Sequence, residues 1–138
     1  MRKMTLLAVI LFFAASVVGY SFENYHVDRR MARHVIDRTE KVLAHCARIT
    51  KRDGVHLGDL KLAYDHQRVA KIFLKEGYFH RAAAHSLRAR ALARTQIQAN
   101  NAKAIDEMQV SQDESAISNM PQDTELDNEV SIKLKLGN

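Results

Sequence analysis

From Asp28 to Ile97 apolar residues return every three or four positions, and the stripes break only around Gly54 to Gly58 and at Gly77. Side chains three and four apart share one face of a helix, so this period constrains the region to amphipathic helices. The breaks predict three of them, near 28–51, 59–76 and 78–99. In the first, Ala32, Val35/Ile36, Thr39, Val42/Leu43 and Cys46/Ala47 form the inward stripe, and Arg33–Asp37 and Asp37–Lys41 pair along the outer face. Lys51 and Arg52 suit the negative end of the helix dipole, with Gly54 offering a left-handed stop. Asp59 is the expected N-cap of the second helix, whose stripe runs through Leu62, His66, Val69/Ala70 and Phe73. The third stripe, through Phe79, Ala82/Ala83, Ser86, Ala89/Arg90, Ala93 and Ile97, is mostly small. Small residues let a neighbour approach closely, so helices two and three are expected to form a tight antiparallel hairpin.

The 138 residues suit one small domain: a single Pro and a single Cys exclude Pro-rich and disulfide-stapled chains. After Asn100 the period stops. Residues 20–100 carry a net charge of +8 and residues 101–138 one of −5. The acidic stretch 101–128 reads as disordered, and the expected fold class is all-α, a small three-helix bundle (residues 20–100) with a disordered C-terminal tail (101–138). At its end Val130, Ile132, Leu134 and Leu136 alternate with polar residues, a strand period without a partner strand. Such a segment either docks on a partner's sheet edge or is a frayed end. The charge split further suggests that the tail folds back on the body and masks it.

Arg2 and Lys3 precede the uncharged apolar run Thr5–Val18, which reads as an export signal, residues 1–19, cleaved before Tyr20. If left uncleaved, residues 4–20 form a short anchor. The expected location is periplasmic or secreted. In an exported chain the lone Cys46 pairs with another chain or is a small buried residue of a helix.

Residues 66–89 resemble a tetratricopeptide repeat. The small residue is Ala70, the first aromatic Phe73, the turn Gly77, the second aromatic Phe79, and the alanines Ala82 and Ala89. His66 and Ser86 stand where the repeat has larger residues, and Arg94 where it has Pro. The resemblance implies one helical hairpin rather than a stacked array. The block 28–99 with its preceding signal also resembles the uncharacterised helical-hairpin domains of bacterial envelope proteins, which implies a binding or scaffolding role there.

Seven histidines lie between residues 26 and 85, and two pairs, His34 with Asp37 and Glu76 with His80, have helical ligand spacing for a metal. His66, alone in an apolar stripe, is expected to be a core histidine bonded to a carbonyl or to a side chain of the first helix. His85–Ser86 and His45–Cys46 are adjacent, about 100° apart on a helix, and so cannot share a proton as base and nucleophile. No enzyme activity and no cofactor are expected. Arg81, His85, Arg88, Arg90 and Arg94 form basic strips that suit a polyanion or are simply solvated. The expected function is that of a non-enzymatic exported adaptor of the envelope. Its expected partner is an envelope protein or a second copy, with anionic lipid or glycan as further candidates and nucleic acid disfavoured by export. The alternative is a periplasmic His-rich metal-binding protein.

Overall fold

The computed structural model describes residues 26–136; the expected signal and anchor lie outside the described residues. These residues are all-helical: α1 (Arg29–Asp53), α2 (Asp59–Glu76), α3 (Phe79–Ala99), a 3-10 turn (Asp106–Met108), α4 (Gln112–Ser115) and α5 (Asp123–Leu136). Among them there is no strand, and no helix is long and apolar enough to cross a membrane.

The helix ends follow from local chemistry. The Asp28 carboxylate accepts from the Met31 N–H at 2.7 Å, satisfying one of the first-turn donors that α1 cannot bond internally. Gly77 closes α2 at φ 88°, a left-handed conformation in which a side chain would be strained. That turn lets Tyr78 cap α3 at once, so α2 and α3 form the expected tight hairpin. The start of α2 differs from expectation. Its N-cap is Gly58, with no side-chain cap, while Asp59 sits inside the first turn, where its charge complements the helix dipole.

The inward stripes meet as expected, in two apolar clusters. One gathers Val35, Ile36, Val69, Ala70, Phe73, Ala82 and Ala83; the other gathers Val42, Leu43, Cys46, Ile49, Ala63, Leu92, Ala93 and Ile97. Cys46 is fully buried, and burial pushes its thiol above the usual range, so it behaves as a core residue. A polar layer crosses the bundle as well. Gln67 donates to the Ile36 carbonyl, Ser86 donates to Gln67, and Thr39 donates to the Ser86 carbonyl. Among the described residues no buried side-chain nitrogen or oxygen lacks a partner, which is the condition for burying such a layer at small net cost.

The C-terminal segment departs from the sequence reading. Instead of a disordered tail with a strand-like end, residues 101–136 turn back and pack along the bundle. Met108 enters one apolar cluster, and Ile117 and Val130 enter the other. Each such burial contributes roughly 1.5–3 kcal/mol, which offsets the cost of ordering a short polar segment. The alternation Val130–Leu136 lies within α5, where Leu126 and Val130, four apart, are buried and Leu134 is half-buried. Ile132 and Leu136 point outward, 60 % and 81 % exposed. With no strand beside it, an extended segment would leave its backbone groups unpaired, whereas a helix pairs them internally.

Candidate functional site

α5 lies across α2 and α3 as an amphipathic helix in a groove. Its seam of Leu126, Val130 and Leu134 is flanked by two rows of acids, Asp123/Asp127 and Glu125/Glu129, each four apart and so on one side of the helix. Arg88 of α3 meets the first row: its Nε donates to Asp127 Oδ1 and one Nη to Asp127 Oδ2, both at 3.0 Å, and the other Nη to Asp123 at 2.8 Å. Arg81, two turns earlier, meets the second, donating to Glu129 at 2.8 and 2.9 Å and to Glu125 at 3.2 Å. At the far end Lys133 donates to Glu76 of α2 at 2.8 Å and sits over the Phe73 ring.

Beneath the arginines lies a histidine pair. His66 of α2 and His85 of α3 are both fully buried, and their Nδ1 atoms face each other at 2.9 Å. The outer nitrogens contact α5: His66 Nε2 is 2.9 Å from Asp127 and His85 Nε2 is 2.9 Å from Glu129. Phe73 stacks on His85, with ring centroids 5.4 Å apart. Burial is the main reason that both imidazoles lie below the ordinary histidine value, opposed by Asp127 at His66 and by Glu129 at His85. Asp127 lies below the usual carboxylate range, chiefly because Arg88 bonds its ionised form, with His66 adding to this. His66 is therefore a core histidine, as expected, but its partners come from α3 and α5 rather than from α1.

A second junction holds the middle of the C-terminal segment. Arg90 is 2 % exposed and uses all its donors: Nη1 and Nη2 each reach Glu114 at 2.8 Å, Nη2 also reaches the Val35 carbonyl, Nη1 the Gln109 carbonyl, and Nε reaches Thr39. Glu114 takes a further bond from Arg38 at 2.7 Å and one from the Ser111 N–H at 2.8 Å. Burial alone raises the Glu114 carboxyl, but Arg90, the Ser111 N–H and Arg38 outweigh it and hold the group below its ordinary value.

The basic strips expected to face a polyanion are thus turned inward. Arg81, His85, Arg88 and Arg90 are engaged by carboxylates of residues 114–129, and Arg94 contacts the Gln109 side chain at 3.4 Å. The fold-back suggested by the charge split is the arrangement the structure has. The metal candidates are not gathered into one site. His34 and Asp37 stand exposed on α1, Glu76 meets Lys133, and His80 Nε2 contacts the Ser118 carbonyl at 2.8 Å. Among the described residues no group of three or more His, Cys, Asp or Glu is placed to hold a metal ion.

The surface of the described residues also carries open grooves. One of 430 Å³, by the α1–α2 loop, is lined by His56, Leu60, Lys61, Tyr64, Asp65 and Gln96, with Val55 and Leu57 exposed on the same loop. Another, of 380 Å³, is formed by Asp28, Arg29, Arg30 and Arg33.

Sequence reasoning missed Glu114, Asp127 and Glu129 as structural partners. For Asp127 and Glu129 the signal was present as matched spacing: acids four apart on 123–129, opposite arginines seven apart on α3. Arg90 had one too, as an arginine inside an otherwise small, apolar stripe. The fold and site define an all-α helical bundle that carries an acidic helix of its own chain in a groove. No family model, curated protein or solved structure matches the chain.

Proposed function

We infer that the chain is a non-enzymatic, exported binding module of the cell envelope, and that the α2–α3 groove is its receptor face for an acidic amphipathic helix. The observation that carries this reading is the seating of α5: an apolar seam in the groove with a carboxylate row on each side, met by Arg81 and Arg88. Helix-in-groove recognition uses the same grammar, with apolar anchors at helical spacing for affinity and flanking charges for register. In this reading α1–α3, with residues 106–117 fixed on them, stand without α5. That helix is a ligand held in cis. A partner would be an envelope protein, or a second copy of the chain, that offers a helix of the same pattern. The apolar run Thr5–Val18 behind Arg2 and Lys3 is the basis for export.

The test is binding in trans. A chain ending at Asn119 is titrated with a synthetic peptide of residues 121–138. Saturable binding that weakens with salt, and that is lost when Arg81 and Arg88 are both replaced by Gln, supports the reading. A folded truncated chain that ignores the peptide defeats it. Intact mass of the protein from its own cells checks export: a chain beginning near Tyr20 is expected, and one retaining Met1 in the cytosolic fraction overturns that part.

A further inference from the structure

We propose that the His66–His85 pair is a proton-operated latch on α5: it holds one proton between its two Nδ1 atoms, and uptake of a second releases α5 from the bundle. The inference rests on the α5 groove described above and adds its regulation.

Proton bookkeeping at the pair leads there. Arg88 makes a two-point contact with Asp127, and Arg81 bonds both oxygens of Glu129. Both groups are therefore carboxylates, which only accept. His66 Nε2 and His85 Nε2, each 2.9 Å from such an oxygen, must then both carry hydrogen. Between the rings the Nδ1 atoms are 2.9 Å apart, a hydrogen-bond distance that requires one proton: with none, two lone pairs face each other. The complete chain of bonds thus has three protons on two rings and one positive charge, shared by the pair. A fourth proton would place two N–H groups head to head at that distance, and two imidazolium charges in a site with no exposure to water.

The surroundings set the sign. Facing the pair are Arg81 and Arg88 from α3, Asp123, Glu125, Asp127 and Glu129 from α5, Asp59 from α2 acting on Arg88, and Lys133 from α5 across Phe73. The acids favour the first proton. Burial and the neighbouring cationic groups, which push each imidazole below the ordinary value of 6.5, resist the second. Once α5 leaves, the rings meet water and each can protonate freely. Below the ordinary histidine range the undocked form therefore binds more protons than the docked pair, so docking weakens as pH falls through that range; above it, where free imidazoles are neutral and the docked pair keeps its shared proton, the sign reverses and docking weakens as pH rises. Asp127, held below its ordinary 3.8, acts in the same direction but in more acid solution. The two windows are separable. Release removes four carboxylates from Arg81 and Arg88 and uncovers the groove.

The experiment follows amide exchange of residues 123–136 in the full chain from about pH 8 to about pH 4.5, corrected for intrinsic rates, which spans the histidine range but not the bulk of the aspartate range. The latch predicts that opening of α5 rises toward tenfold per pH unit below the histidine range, the limit for one proton, while α1–α3 stay protected. His66→Gln keeps a donor for Asp127 and an acceptor for His85 but cannot take the second proton; its α5 is expected to lose this pH dependence. Independently of any variant, side-chain nitrogen NMR of the native chain is expected to count three ring N–H protons on the pair while α5 is docked. Four observations overturn the latch: α5 opening that does not change with pH, opening only together with α1–α3, an unchanged pH dependence in His66→Gln, or ring nitrogens that shift with added zinc rather than with protons. The 121–138 peptide, added in excess to the full chain at both pH extremes, separates the two readings. A latch that opens onto a groove which takes no peptide leaves the latch and defeats the receptor reading. Peptide exchange indifferent to pH does the reverse.

Discussion

Two polar junctions tie the C-terminal segment to the bundle, and they are built on opposite principles. At Arg90–Glu114 a guanidinium that stays charged meets a carboxylate with bidentate geometry and a full set of further bonds. At His66–His85 the innermost groups facing α5, beneath Arg81 and Arg88, are imidazoles, whose charge changes within the ordinary pH range. The first junction is permanent from neutral pH down to the carboxylate range; the second is conditional. Both are buried among arginines and acids, so composition does not separate them. What separates them is which basic group lies innermost. A fold can therefore hold one part of a segment fixed (residues 106–117) and leave the next (residues 123–136) free to respond.

The largest effect expected is at the fixed junction. Glu114→Ala leaves Arg90 buried and uncompensated, and should cost about 3–5 kcal/mol in urea unfolding at neutral pH. A cost below about 1 kcal/mol would show that Arg90 finds water there and that the contrast between the junctions is false. Next, Leu126→Ala removes the most deeply buried residue of the α5 seam and should weaken its docking by about 2–4 kcal/mol, read as faster amide exchange confined to 123–136. Equal loss of protection in α1–α3 would merge the two regions into one cooperative unit. Smaller is the pH effect, at most ~1.4 kcal/mol per pH unit for one proton. Acid should detach α5 below the ordinary histidine value of 6.5. It should loosen Glu114 only below the ordinary 4.5, because that carboxyl is lowered in the fold and its stabilisation is lost as pH falls through the lowered value. A single transition by circular dichroism and exchange together would contradict the two-step order. At the bottom, Lys61→Ala breaks an exposed pair with Asp65 on α2 and should change stability by under ~0.5 kcal/mol.

The bundle was legible because its information is local. The 3–4 period of α1, the small stripe of α3 and the stops at Gly54 and Gly77 each act within one or two turns, and all three helices fall where they were expected. The N-cap at Gly58 instead of Asp59 is a one-residue error of the kind that helix ends invite. The C-terminal segment was illegible for the opposite reason. Its buried residues, Met108, Ile117, Leu126 and Val130, are too sparse to make a period, and its helix is stabilised mainly by groups on other elements. The candidate site was half visible: His66 and Arg90 stood out as polar residues in apolar stripes, but neither revealed its partner.

By itself, then, the sequence determined three amphipathic helices, the tight hairpin and the opposition of a +8 body to a −5 tail, because periodicity, turn residues and net charge need no knowledge of distant neighbours. Only the tertiary structure decided that the tail is helical and docked, that Arg90 is anchored by Glu114, and that two histidines 19 residues apart face each other under α5. Those outcomes depend on which side chains meet across the fold, and in a dry interior the free energy of a charged or titratable group is set by its partners rather than by its own type.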